Sequence, residues 1–507
     1  MKTILERYAK QIRGVIRCFD RVLLQGSLPG VGFPSGMQGF LTRQGTRVFD
    51  FAEFSKPLTE QLRAIARTLA DDHGLKIEHA NRRTFDKEAY VAKVPAERGD
   101  HPGLVSIISA MEVCSTYEAR IDPKTKKPVL RRDNGKCIHY YYYFIAPDLG
   151  LCHLRVSTWA PFRLQFYFNA HNWLARQLEA KGIGFKQVDN PFVDIDNFDA
   201  AQKIADAFDV RRLHQILDFD VAHFCPIASV FNCTYHWGLM QIEYATDIVF
   251  KSRNALQDLY QPLIRVAVQA VKADDVMLFF GRKRLAAFQG ELETSLRTRE
   301  MGTRIKHRLG RSSITAYDKF GVVLRIETTT NDVSEFKQYR RVVQRDGQVR
   351  FKNAPVPTNI YSLNPIMKDL LGAANQRYLL FLSTLHTPTA GIKALRKISE
   401  PVRNQHRPYK GFNLFLGSDQ LVFESLARGE FAISGFRNRH LGALLPGIST
   451  SQASRLLKRL RLHGLIKRVP GSFKYYPTTL GRGATAAALA VKQLALLPAV
   501  DLAMLAK

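Results

Sequence analysis

The chain reads as an α+β multidomain protein. We expect a mixed, basic α+β region over 1–210, then a helical region over 211–410 carrying an antiparallel β-meander at 303–330. A C-terminal module of helices and a basic hairpin over 411–507 ends it. Three observations predict this. The length of 507 residues suits about two to four domains. Apolar residues switch between a period of two and a period near 3.6 along the first two regions. A basic stretch with two prolines, SEPVRNQHRPYKG (Ser399 to Gly411), reads as a linker before the last one.

In the first region, RGVIRCFDRVLLQGSLPG is an apolar strand hemmed by Arg13, Arg17 and Arg21. KPLTEQLRAIARTLADDHG has helical spacing and stops at Gly74, a residue free to take the left-handed C-cap conformation. KCIHYYYYFIAPDLGLCHLRV gives two strands about a Pro-Asp-Leu-Gly turn, and Asn134-Gly135 marks an earlier hairpin turn. FNAHNWLARQLEAKG is a helix stopping near Gly182, and another begins at Asn197. Asp194 and Asp196 precede it, one of them as an N-cap. In the second region QIEYATDIVFKSRNALQDLYQPLIRVAVQAV mixes β-branched residues with helical spacing and is read with the helices.

Charge narrows the function. The net charge is +29, from 74 Lys/Arg against 45 Asp/Glu, and such a balance favours a polyanionic partner. DNA is the expected partner, with RNA open for the body of the chain. No basic amphipathic terminal helix offers a membrane anchor. Six cysteines without regular spacing point to a reducing, cytoplasmic setting rather than a disulfide scaffold. The N-terminus is broken by Lys2, Glu6, Arg7 and Lys10, so it lacks a signal-peptide core. The tail GATAAALAVKQLALLPAVDLAMLAK is interrupted by Lys492, Pro498 and Asp501. It reads as a packing or dimerisation helix, which makes a homodimer one expected assembly.

The last region carries the most specific pattern. SDQLVFESLARG is a helix with a capping start at Ser418, and ISGFRNRHLGALLPG supplies a second. STSQASRLLKRLRLHG opens with Ser449 and Gln452 in capping-box spacing. It stripes Ala453, Leu456, Leu457 and Leu460 on one side, with Ser451, Arg455, Lys458 and Arg459 on the other. LIKRVPGSFKYYPTTLGR then makes a strand, a Pro-Gly turn and a strand carrying Arg468 and Lys474. Between Phe431 and Arg482 stand ten Lys/Arg and no acid. This stretch, Ser418 to Arg482, resembles the winged helix-turn-helix of MarR-type bacterial regulators. The resemblance implies that Ser451, Arg455, Lys458 and Arg459 meet the major groove while Arg468 and Lys474 touch backbone or minor groove. The whole chain resembles a bacterial family usually labelled after that last domain alone.

The meander is folded from its turns. Gly310-Arg311 suits a two-residue hairpin and Lys319-Phe320-Gly321 a three-residue one. His307, Ile314 and Ile326 then align on an apolar face, as do Ile305, Ala316 and Leu324. The other face collects Arg304, Lys306, Arg308, Ser313, Thr315, Tyr317, Val323, Arg325 and Glu327. Three readings compete there: ion pairing of Glu327 with Arg325 and Arg308, phosphate binding by Arg304, Lys306, Arg308 and Arg325, and catalysis. YDK followed by LRIE is similar to a stretch in plasmid-type rolling-circle replication initiators. That resemblance implies Tyr317 as nucleophile and Glu327 as ligand of a divalent metal such as Mg or Mn. No His-hydrophobic-His pair accompanies it. If chemistry occurs there, Glu327 should lie in a cleft within metal-sharing distance of another carboxylate or histidine. Separately, a two-metal nuclease at Asp194 and Asp196 would need further acids close in space, with Glu112, Glu243 and Asp247 as the candidates.

HYYYYF could stack bases on one strand face, though an ordinary core strand explains it as well. The Cys137/His139/Cys152/His153 and His223/Cys225/Cys233/His236 sets lack zinc spacing. The expected function is therefore nucleic-acid binding, with duplex DNA held by the last domain and a basic body on further DNA or RNA, in a mobile-element or replication context. A Tyr317 nickase and a transcriptional regulator are the alternatives.

Overall fold

In the computed structural model, residues 3–80, 85–94, 99–282, 292–299, 302–344, 346–385, 388–405 and 407–492 are described. The strands before residue 386 are β1 (Ile12–Ser27), β2 (Ile77–His79), β3 (Gly103–Ile121), β4 (Pro128–Ala146), β5 (Gly150–Ser157), β6 (Leu164–Asn169), β7 (Phe185–Gln187) and β8 (Phe192–Ile195). They continue with β9 (His236–Phe250), β10 (Leu292–Arg299), β11 (Gly302–Leu309), β12 (Ser312–Lys319), β13 (Val323–Thr330), β14 (Lys337–Val343) and β15 (Val349–Pro355). One sheet orders eleven of them β10-β11-β12-β13-β9-β1-β6-β5-β4-β3-β2. Its pairs are antiparallel except β2 with β3. β7–β8 and β14–β15 are separate two-stranded ribbons.

This sheet changes the expected division of the chain. Two units form, Met1–His386 and Thr387–Lys507. The expected border near 210 falls inside the first, because β1 pairs on one side with β6 and on the other with β9. The expected border near 410 lies inside the second, where the presumed linker contains a small hairpin, Val402–Asn404 with Arg407–Tyr409. The middle region is not predominantly helical. QIEYATDIVF belongs to β9, and the helix starts only at Arg253, capped by Ser252. The β-branched run decided that segment over its helical spacing.

Sheet parity sorts the side chains. Leu24, Phe166, Leu154 and Tyr142 align across neighbouring strands and are fully buried in the main core. The helix Lys368–Leu385 packs on β9 and β13. Its buried Asn375 donates to Tyr244 O at 2.9 Å and accepts from Thr328 Oγ1 at 2.6 Å. Asn134-Gly135 does not turn the chain: β4 runs through it, and the connection from β3 is built on Asp122, whose carboxylate accepts from the Lys124 and Thr125 amides. The helix after β8 is capped by Asn197 rather than by either aspartate, and Asp194 pairs with Arg13 instead.

The meander forms with both faces as expected but with one register slipped. His307 faces Ile314 and Ile305 faces Ala316, whereas Ala316 faces Ile326 and Tyr317 faces Arg325. The turn closes at Lys319 and Val323, with Phe320 and Gly321 both at positive φ. A slip of two residues preserves which side chains share a face.

The second unit has its own core, in which Phe412, Phe423, Phe436, Leu441, Leu457 and Leu460 are buried. It contains helices Pro388–Ser399, Gly417–Leu426, Gly429–Ile433, Asn438–Gly442, Thr450–Leu462 and Thr479–Val491. The last two strands, β18 (Ile466–Arg468) and β19 (Tyr475–Pro477), pair as a hairpin after β16 (Val402–Asn404) and β17 (Arg407–Tyr409), and Phe436 bridges to Tyr475. The Ser449/Gln452 capping box is present. Ser418 caps nothing; the cap position there is Leu416. The tail beyond Lys492 lies outside the described residues.

Candidate active site

Three adjacent strands, β13, β9 and β1, each carry a carboxylate to one place. Asp20, Glu243 and Glu327 offer oxygen atoms that all lie within 4.8 Å of one another. They line a cleft of about 550 Å³ with Tyr317, Thr315, Tyr167, Asn169 and Asn190, together with the cations Arg21, Arg304 and Lys319 and the acids Glu88, Asp189 and Asp318. Tyr317 Oη donates to Glu327 Oε2 at 2.8 Å. Glu327 thus meets the geometric condition that a metal-bearing site imposes. Among the described residues no other set of three or more potential ligands converges in this way.

The floor of the cleft is an ion cluster. Arg325 is fully buried. Its Nε and Nη2 each reach one Asp247 oxygen at 2.6 Å, and its Nη1 reaches Asp20 Oδ2 at 2.6 Å. His171 Nε2 lies 3.2 Å from Arg325 Nη2, and its ring stacks on Phe192 of β8. Asp20 also accepts from Asn169 Nδ2 at 2.8 Å and from Asn190 Nδ2 at 2.5 Å. A cation so enclosed cannot meet a phosphate, which removes Arg325 from the expected nucleic-acid contacts.

Environment pushes these carboxyls apart. Burial alone would raise Asp20, but Arg325, then His171 and Asn190, outweigh it and hold it below its ordinary value. Asp247 is likewise held low by Arg325 against its own burial. Glu243 is pushed up to about 8 by burial first, then by Glu327 and Asp20. Glu327 rises for the same reasons, burial and then Asp20. Burial and Glu327 lift the Tyr317 hydroxyl well above its ordinary value. Burial and Arg325 lower Lys319. Crowded like charges of this kind ease when a cation enters.

The donor set fits a hard divalent ion. Carboxylate oxygens are what Mg and Mn take, and the buried Asn190 Oδ1 beside Asp20 has no partner among the described residues. The expected charge pairing of Glu327 holds only in part: Arg325 Nη1 stands 3.8 Å away, while Arg308 turns to Gly310 O at 3.2 Å. Arg308 is exposed opposite Ser313 and away from Glu327. Lys306 faces Thr315 outside the cleft lining, and Arg304 is the one expected phosphate contact that lines the cleft.

Sequence reasoning missed Asp20, Asn169, Asn190, Arg21 and Lys319. The available signal was Asp20 itself, a lone acid inside the apolar run of β1. Of the further acids, Glu243 joins the cleft. Asp247 serves Arg325, and Glu112 pairs with Lys87, Arg155 and Tyr141 elsewhere. Tyr141 and Tyr143 are buried, so HYYYYF is a core strand and not a base-stacking platform.

In the second unit, Ser451, Arg455 and Lys458 are exposed along one side of Thr450–Leu462. Arg459 is not free: it donates to both Asp419 oxygens at 3.0 and 3.1 Å and to Lys410 O and Gly411 O, and lies 3.7 Å over Phe412. It belongs to that unit's interior, correcting its assignment as a DNA contact. Arg468 folds onto Ser472 O at 2.6 Å and over Phe473, and Lys474 lies 5.6 Å over Tyr476.

No protein-family model, curated protein or solved structure matches this chain.

Proposed function

We propose that the protein is a divalent-metal-dependent enzyme that breaks and transfers phosphodiester bonds in DNA. The observation that carries this is the convergence of Asp20, Glu243 and Glu327 in a cleft that also holds Tyr317. A bound Mg or Mn ion would be held by these three carboxylates and would supply charge neutralisation at the scissile phosphate. In this reading Tyr317, whose Oη donates to Glu327 Oε2, is the nucleophile. Its proton passes to Glu327, its Oη forms a bond to phosphorus, and the bond to the leaving sugar oxygen breaks, that oxygen taking up a proton from solvent as the DNA end is released. Arg21, Arg304 and Lys319 in its lining give the cleft cations for the flanking phosphates.

The second unit supplies duplex binding in this reading. Helices Asn438–Gly442 and Thr450–Leu462 with the β18–β19 hairpin make a winged helix-turn-helix, whose exposed Ser451, Arg455 and Lys458 face the major groove. No described helix is long and apolar enough to cross a membrane. The six cysteines are free thiols, and we assign the protein to the cytoplasm, where they stay reduced.

The deciding assay incubates supercoiled plasmid and single-stranded oligonucleotides with Mg or Mn, and denatures the products in detergent. Nicking with a DNA end covalently attached to protein is expected. Glu327→Gln should abolish nicking and Tyr317→Phe the covalent adduct. Normal cleavage by Tyr317→Phe would assign the attack to water. No cleavage with either ion would end the enzymatic reading and leave a DNA-binding protein.

A further inference from the structure

Among the described residues the ribbon β14–β15 pairs with no other strand, and its register runs from Lys337 opposite Pro355 to Val343 opposite Val349. It is rooted by Phe336 and Val356, which are buried and joined by a backbone hydrogen bond of 2.9 Å. Beyond that root one face of the ribbon lies open, while Ala354 on the other is buried. Strand parity puts Lys337, Tyr339, Arg341 and Val343 on one face with Val349, Phe351 and Asn353. Every one of these is exposed, Tyr339 to 67% and Phe351 to 63%. The two rings stand 6.1 Å apart at 30°, with Arg341 directly across from Phe351. None of Lys337, Arg340, Arg341, Arg350 and Lys352 has a carboxylate partner among the described residues. The ribbon's acid, Asp346, is in the turn, where it accepts from the Gln348 amide.

We infer that this face is a stacking platform for unpaired bases of single-stranded DNA. Large aromatic rings left in water are costly unless something covers them, and the surrounding cations select a polyanion. Beside Lys337, Arg341 and Asn353 this face spends its largest exposed area on two rings and two valines, apolar surface that reading base edges in a duplex major groove does not call for. Rings suit any base, because every base has a π-face, while Lys337 and Arg341 can neutralise the adjoining phosphates. The inference rests on the proposal that the chain acts on DNA, and it adds a place for the strand freed by nicking.

The test measures anisotropy of a labelled oligo-dT and of a duplex with the full chain. Tyr339→Ala and Phe351→Ala should each weaken oligo-dT binding roughly tenfold and leave duplex binding and circular dichroism unchanged. Tyr339→Trp should retain binding and show tryptophan quenching on addition of oligo-dT. Unchanged oligo-dT affinity in the Tyr339→Ala/Phe351→Ala double variant overturns the inference, as does an equal loss for duplex. Loss of self-association with oligo-dT binding intact would do the same and assign the face to a second copy. The two readings fail separately: a chain that never cleaves but loses oligo-dT through these rings keeps the platform, and one that cleaves without them keeps only the enzyme.

Discussion

Arg325 grips Asp247 through two bonds of 2.6 Å between neighbouring strands, with neither side chain reaching solvent. The same guanidinium extends a third bond to Asp20, so one cation holds the floor under the carboxylate cleft. Removing it strands two buried carboxylates. Arg325→Met should destabilise the first unit by about 3–5 kcal/mol. Adding Asp247→Leu should recover part of that loss, read from urea midpoints at pH 7. A shift below 1 kcal/mol would show the cluster to be dispensable.

Metal binding should depend on pH through Glu243. Its carboxyl is raised to about 8 by burial and by Glu327, so an incoming ion must displace a proton below that pH. Affinity for Mn should therefore strengthen up to about tenfold per pH unit from 6 toward 8 and then level. Without metal the sign reverses: a carboxyl raised above its unfolded value of 4.5 stabilises the fold at low pH and loses that contribution as pH climbs toward 8. Melting curves of wild type and Glu243→Gln across this range check both trends. A Mn effect identical in the variant would place the ion elsewhere.

Arg455 and Arg459 are close on one helix and should behave differently. Arg455→Ala with Lys458→Ala should leave folding intact, cut duplex affinity by tenfold or more and flatten its salt dependence. Arg459→Ala breaks the bidentate bond to Asp419 and should lower the melting temperature of the second unit. Duplex binding unchanged in the first variant would remove this helix from the DNA interface.

Asp220 is buried, lines a pocket together with Phe144, Ile216 and Phe224, and has one oxygen unpartnered among the described residues; burial lifts its carboxyl to about 7. Folding favours the protonated form, so this contribution is full below its unfolded value of 3.8 and fades as pH rises toward 7. Asp220→Asn should raise the melting temperature by a few degrees at pH 8 and by much less at pH 4. Equal shifts at both would contradict a neutral Asp220.

Local periodicity carried the legible part. Tyr317 and Glu327 were placed on one face because a strand alternates with period two, and the actual slip of two residues leaves that parity intact. The helix Thr450–Leu462 was readable from its cap and stripe. What stayed hidden was pairing across the chain. Asp20 and Arg325 are 305 positions apart, and nothing local says that β1 lies beside β9. For the same reason Arg325 looked like a surface phosphate contact: its partners are remote in sequence. Arg459 misled similarly, since the carboxylate that holds it lies in another helix.

The order of the strands along the chain has a consequence for biosynthesis. β1 leaves the ribosome early, but its neighbour β9 follows much later and β13 later still. Asp20 therefore waits for Glu243 while β2 to β8 are made, and for Glu327 until β13 follows. On the proposed reading, a growing polypeptide could not gather an ion there until Glu327 has emerged, and the proposed cutting would be withheld from nascent chains.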